Sequence, residues 1–136
     1  MTDPFLFELV SPEKLVLSED VNMVVVPGTE GDFGVLIGHS PFIASLRPGV
    51  IDVYNGDKIE KQVFIAGGFS EVMSSGCTVI AEETAFLNEI DRAVVEKRIE
   101  GANSALSEAK SENAIKTAII ELNVATAMLK AITKDS

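Results

Sequence analysis

Apolar residues recur in this 136-residue chain at two different periods, and the change falls near residue 87. Up to about residue 82 they alternate. In Phe5-Leu6-Phe7-Glu8-Leu9-Val10, for example, Phe5, Phe7 and Leu9 share one face of an extended chain. Residues 15–17, 21–26, 35–37, 42–46, 50–54, 58–65, 69–73 and 77–81 read as further strands, separated by turn residues. Asn55-Gly56 is a strong hairpin turn, because both residue types tolerate positive φ, and Ser74-Ser75-Gly76 marks another. Roughly eight to ten short strands at this spacing predict a β-sandwich or barrel.

Beyond residue 87 the period becomes helical. Asn88-Glu89-Ile90-Asp91 offers an N-cap at Asn88 with an acid three residues on. Val95, Ile99, Ala102, Leu106 and Ala109 follow as one stripe. Ile115, Ala118/Ile119, Leu122, Ala125, Leu129 and Ile132 form a second. Two helices are expected near 88–110 and 113–133, packed as an antiparallel hairpin, with alanines at 102, 105, 109, 118 and 125 allowing close approach. Gly101 costs ~1 kcal/mol in a helix interior, for no purpose visible in the pattern. The connection Ser107-Glu108-Ala109-Lys110-Ser111-Glu112-Asn113 holds neither glycine nor proline. A turn capped by Ser111 or Asn113 and one continuous helix therefore both stay open. The expected architecture is segregated α+β: a β-sandwich domain over 1–86 and a C-terminal helical hairpin over 87–136.

Charge separates the two parts further. The chain carries −10 overall, of which residues 1–86 hold −9 and residues 87–136 only −1. So acidic a sandwich is repelled by nucleic acid and anionic lipid and attracted by basic protein surfaces, so no nucleic-acid partner is expected. No apolar run approaches the ~20 residues that span a bilayer, and Met1-Thr2-Asp3-Pro4 lacks the basic start of a leader. Direct membrane insertion is not expected, and any membrane role has to come through a partner. The one cysteine, Cys77, sits in a strand pattern as a buried thiol, so no disulfide or zinc cluster is available. His39 is the one histidine and lies next to Ser40, and neighbours in extended chain point to opposite faces, so they make no catalytic pair. Neither a metal site nor enzyme activity is expected of this chain alone.

The densest local signal is Pro27-Gly28-Thr29-Glu30-Gly31-Asp32-Phe33-Gly34-Val35-Leu36-Ile37-Gly38-His39-Ser40-Pro41-Phe42. A solvated turn between strands accounts for it. A phosphate-cradling loop does not: there is no Gly-Lys-Ser/Thr ending, no helix follows, and Glu30 and Asp32 would repel phosphate. With Leu46-Arg47-Pro48-Gly49, Ile65-Ala66-Gly67-Gly68-Phe69-Ser70-Glu71-Val72 and Thr78-Val79-Ile80-Ala81-Glu82, in that order and spacing, the chain resembles the epsilon subunits of the F-type rotary ATP synthase. The resemblance is strong over the first two-thirds and weaker after it.

That resemblance implies a non-catalytic rotor subunit at the foot of the central stalk. It would hold the gamma subunit to the c-ring and couple proton translocation to ATP synthesis, at the cytoplasmic face of a bacterial inner membrane. The alpha and beta subunits of the catalytic head are further candidate partners. Gly28, Glu30, Gly31, Asp32, Gly34 and His39 fall at the family's c-ring and gamma contact positions. Gly67, Gly68, Phe69 and Glu71 belong to a second signature, whose paired glycines fit either close approach of another chain or a β-bulge.

Some family members also bind ATP at Ile/Leu-Asp, two residues, then Arg-Ala. Ile90-Asp91 begins that motif here, but Val94 and Val95 stand at the Arg-Ala positions. Arg92-Ala93 comes two residues early, about 200° around the helix. The family's inhibitory device needs basic residues on the second helix, and residues 113–136 offer Lys116, Lys130 and Lys134. The resemblance therefore implies no bound cofactor, ATP included, and weak or absent inhibition of ATP hydrolysis. An ATP-sensing inhibitory subunit is the alternative.

Overall fold

The structure is a computed structural model and describes residues 3–134. The chain divides at the Phe86–Leu87 bond into a unit of strands and a unit of helices. The first holds ten strands: β1 (Phe5–Val10), β2 (Leu15–Val21), β3 (Met23–Gly28), β4 (Gly31–Val35), β5 (Phe42–Leu46), β6 (Gly49–Asn55), β7 (Lys58–Ile65), β8 (Gly68–Met73), β9 (Gly76–Ala81) and β10 (Thr84–Phe86). Their hydrogen-bonded order is β10-β7-β6-β3-β5-β8-β9-β1-β2, with β4 off this path and paired to β3 from Val24 to Gly28. Neighbours are antiparallel except β1 and β9, which run parallel. β3 and β5 share one residue pair, Gly28 with Leu46, and the ladder turns there into the two layers of the expected sandwich.

Alternation explains the core. Phe5, Phe7 and Leu9 of β1 all point inward and are buried, as the period-2 pattern requires. They join Val24 and Val26, Ile51 and Val53, Val63 and Ile65, Val72, Cys77 and Val79 in one cluster. Each large aliphatic residue buried there contributes ~1.5–3 kcal/mol. The Asn55-Gly56 turn forms where expected, and the Asn22 side chain accepts a hydrogen bond from the Gly56 amide at 2.6 Å. Across the layers, Lys61 of β7 reaches both carboxylate oxygens of Glu19 on β2 at 2.7 Å.

One strand differs from its expected place. The strand after the glycine-rich stretch is Gly31–Val35, not 35–37. Backbone pairing overrides the apolar run, because Gly31, Phe33 and Val35 face Gly28, Val26 and Val24 of β3. Val35 is buried, whereas Leu36 and Ile37 lie beyond the strand, exposed.

The helical unit opens with a 3-10 turn, Leu87–Glu89, followed by α1 (Arg92–Glu108) and α2 (Glu112–Lys134). Asn88 is not the cap, since it is taken up in the 3-10 turn behind buried Leu87. Asp91 caps α1 instead, its carboxylate accepting from the Ala93 amide at 3.0 Å. The chain breaks between the helices at residues 109–111, and Ser111 caps α2 by accepting from the Ala114 amide at 3.1 Å. The second stripe keeps Ala118 and Ala125 of the expected one but is otherwise rotated from it. Ala118, Val124, Ala125 and Met128 are buried, while Ile115 and Ile119 are exposed. Small residues turn toward α1 because they let the helix axes come close, which leaves the branched isoleucines on the flank.

Candidate functional site

The glycine-rich stretch is the tip of the β3–β4 hairpin. Pairing runs out to Gly28 opposite Gly31, leaving Thr29-Glu30 as a two-residue turn. Gly31 has φ +132°, a conformation that side chains rarely adopt. Gly28 is buried, and a Cβ there would lie 2.7 Å from the Gly31 carbonyl oxygen and 3.0 Å from the Phe33 ring. Glu30, Asp32 and Gly34 are exposed. Below the tip, the Phe42 ring packs tilted against Phe33 and His39, with centroids 5.3 Å and 5.1 Å away. The Nδ1 of His39 lies 2.9 Å from the Ser40 carbonyl. A carbonyl only accepts, so Nδ1 carries the proton.

Segment Ser45–Arg47 grips this tip. The Thr29 amide donates to the Ser45 carbonyl at 3.0 Å, and the Arg47 amide to the Pro27 carbonyl at 2.9 Å. The Arg47 guanidinium then donates from Nη1 to the Gly28 carbonyl at 2.5 Å and from Nη2 to Asp32 Oδ1 at 2.6 Å. Asp32 is thus an ion-paired acid. The sequence pattern does not single out Arg47 for this, because its partners lie 15 and 19 residues away.

A second surface lies on the outside of the layer β5-β8-β9-β1. Cross-strand register aligns Ser45, Phe69, Ile80 and Val10 in one row, and Ile43, Glu71, Thr78 and Glu8 in the next. Met73, Gly76 and Leu6 form a third. Ile43 is 71% exposed, Phe69 57%, Ile80 54% and Met73 49%. The result is an open apolar face with carboxylates of Glu8 and Glu71 in its middle row. Ile43 also lines the hollow beside the tip, so tip and face are continuous. Of this face the second signature supplies Phe69 and Glu71. Ile43, Met73 and Ile80 were missed, although apolar residues at both parities of β5 and β9 were a readable sign of a strand with two covered faces. The glycines of the signature act internally. Gly68 has φ +148°, and a Cβ there would lie 2.0 Å from the Ile80 carbonyl oxygen.

In the helical unit, Asp91 of the partial nucleotide motif is used as the α1 cap, Ile90 is half-buried, and Val94 points into solvent at 55% exposure. A groove of about 600 Å³ runs between α1 and α2, floored by Gly101, Ala102, Ala105, Ala114 and Ala118. At its end Arg98 forks onto Glu121, with Nε and Nη2 each 2.9 Å from a carboxylate oxygen. Cys77 is buried with its thiol 3.5 Å from the Ser70 hydroxyl, and burial pushes its pKa up. Among the described residues, no three His, Cys, Asp or Glu converge as a metal site. No described helix is long and apolar enough to cross a membrane.

Residues 4–86 match the family model for the ATP synthase Delta/Epsilon chain β-sandwich domain. The ATP synthase epsilon chain of Rhodospirillum rubrum is 51% identical over 106 residues, covering 78% of this chain and 79% of that one. The epsilon chain of Paramagnetospirillum magneticum is 50% identical over 112 residues, covering 82% and 84%. Among solved structures, a chain of the Euglena gracilis mitochondrial ATP synthase, OSCP/F1/c-ring, superposes with a TM-score of 0.82 at 25% identity. That superposition covers 97% of this chain and 83% of that one. A matching sandwich, half-identical relatives of nearly equal length and a shared two-unit fold together mean that this chain belongs to the ATP synthase epsilon chain family.

Proposed function

We propose that this chain is a non-catalytic rotor subunit that links the gamma subunit to the c-ring and so couples proton translocation to ATP synthesis. The observation that carries this reading is the outer face of β5, β8, β9 and β1, where Ile43, Phe69, Met73 and Ile80 stand exposed together. Apolar patches of this kind are covered in an assembly. The Euglena relative comes from an assembly that includes F1 and the c-ring, which supports the same reading. The outer face takes the gamma subunit, and Glu8 and Glu71 in its middle row suit cations on that partner. The acidic tip, with Glu30, Asp32 and His39, takes the polar loops of the c-ring. Association through these partners holds the chain peripherally at the cytoplasmic face of the inner membrane.

The chain has no active site of its own in this reading. Its thiol is buried, and the His39 Nδ1 proton is committed to a backbone carbonyl. Nor does it use ATP as a ligand, because Val94 replaces the arginine and Asp91 is spent on a helix cap. ATP should bind no tighter than millimolar, where ~4 kcal/mol of binding free energy remains. Inhibition of hydrolysis through the helices is weak, because the Arg98–Glu121 clasp favours the closed hairpin and α2 presents few cations.

The test is Ile43→Asp combined with Ile80→Asp. Both side chains are exposed, so the chain should fold normally by circular dichroism. It should nevertheless fail to co-purify with the complex. Normal co-purification of the doubly substituted chain would overturn the assignment of this face.

A further inference from the structure

We propose that the hollow on the outer face between β5 and β8 is a socket for one basic side chain of the gamma subunit, whose charged end pairs with Glu71. This deepens the proposed function and rests on the reading of the outer face as the gamma surface. The register of β5 and β8 builds the hollow. Ile43 and Glu71 lie directly opposite each other, which sets their side chains about 5 Å apart. Pro41 on the β5 side and Met73 on the β8 side complete the rim, with the Phe42–Val72 pair between them. Together these six residues line about 400 Å³. Glu71 is exposed and meets no cation among the described residues.

Three apolar posts and one unpaired carboxylate select the occupant. A purely apolar side chain would cover Ile43 and Met73 but bury Glu71 without a partner, at the full cost of its desolvation. An anion would be repelled. A basic side chain satisfies both demands, because its methylene stem lies along Pro41, Ile43 and Met73 while its head reaches the carboxylate. Glu8, the other acid of this face, is placed differently. Its cross-strand neighbours are Thr78 and Ser18, so a cation there meets hydroxyls across the strands in place of apolar walls. Such a pair contributes little. Of the two acids Glu71 therefore carries the recognition, in keeping with interfaces whose affinity concentrates in a few well-packed anchors.

The experiment titrates the purified full-length chain into catalytic heads that retain the gamma subunit but lack this chain, and measures the dissociation constant. No c-ring is present, so the acidic tip plays no part. We expect Glu71→Gln to raise the constant by about tenfold or more, and Glu8→Gln by no more than about threefold. Ile43→Ala and Met73→Ala each lower a wall and should raise it severalfold. Neither should add its full factor on top of Glu71→Gln, because stem and head belong to one side chain. Ile43, Glu71 and Met73 are exposed, so these variants should keep the wild-type circular dichroism. The socket is refuted, with the face reading intact, if Ile43→Asp combined with Ile80→Asp weakens binding while Glu71→Gln and Glu8→Gln act alike. It is refuted too if Glu71→Gln binds like the wild type and Glu71→Ala does not, since the amide still accepts a hydrogen bond and the occupant would be a neutral donor. If every variant, the double aspartate included, binds with the wild-type constant, the socket and the face reading fall together.

Discussion

Breaking the Arg98–Glu121 clasp should loosen the hairpin by an amount that the structure bounds. Between the clasp and the connecting turn, α1 presents Gly101, Ala102 and Ala105 to Asn113, Ala114, Thr117 and Ala118 of α2. Of these only Ala102 and Ala118 are buried. Two methyl groups at ~0.8 kcal/mol each leave this half of the hairpin with weak apolar support. The fork of Arg98 onto Glu121 is bidentate, with side chains 25% and 42% exposed. Discounted for solvent, such a pair contributes ~0.5–1 kcal/mol, the upper part of the range for exposed pairs. Burial and clasp are therefore of similar size here. Native-state amide exchange of α1 and α2 reads the difference directly. Arg98→Gln and Glu121→Gln should each lower protection near the turn about two- to fivefold, and the double variant should lose little more than either single. Coupling below ~0.2 kcal/mol would mean that packing alone closes the hairpin.

Three further outcomes follow from single sites. Gly68→Ala places a Cβ against the Ile80 carbonyl at a positive φ, and should cost ~3 kcal/mol or more in urea denaturation; a loss under 1 kcal/mol would contradict the geometry. Gly101→Ala meets open space, so it should stabilise the helical unit by up to ~1 kcal/mol in thermal melts, and destabilisation would show a constraint not seen here. Lys61 is held above the ordinary lysine range, chiefly by its hydrogen bond to Glu19. Its folded value is the raised one, so its contribution is complete below pH ~10.4 and disappears as pH climbs through the folded value. Glu19→Gln should remove most of that alkaline loss of stability, leaving the smaller part due to Glu60, and an identical alkaline profile in the variant would refute the assignment.

The sandwich was legible because its pattern is redundant. Phe5, Phe7 and Leu9, then Val24 and Val26, then Val63 and Ile65 each repeat the same inward alternation, and a register slip would turn every one outward. The places where reading failed depend on partners distant in sequence. Apolar character alone favoured 35–37 as a strand, but pairing with β3 selected Gly31–Val35. In α2 the expected Ala118 and Ala125 do lie in the interior, but Val124 and Met128 join them there while Ile115 and Ile119 are exposed. The tip was visible as glycines and acids. Its anchor was not, because Arg47 is an ordinary turn residue until folding sets it beside Asp32. Ile43 and Ile80 were missed for another reason: apolar residues at both parities of β5 and β9 signalled a second covered face, but an exposed apolar residue in a strand is common, and the cross-strand rows are what gather them.

The central claim is that the sandwich, and not the helical hairpin, carries coupling. Its core cluster lies entirely before the Phe86–Leu87 division, so a chain ending at Asn88 keeps every buried residue of that cluster. Inverted membrane vesicles carrying this shortened chain in place of the full one give the direct measurement, as ATP-driven proton pumping and ATP hydrolysis on the same sample. The account predicts pumping close to that of the full chain and hydrolysis little changed. Loss of pumping, or a many-fold rise in hydrolysis, would show that the helices couple or inhibit and would contradict it.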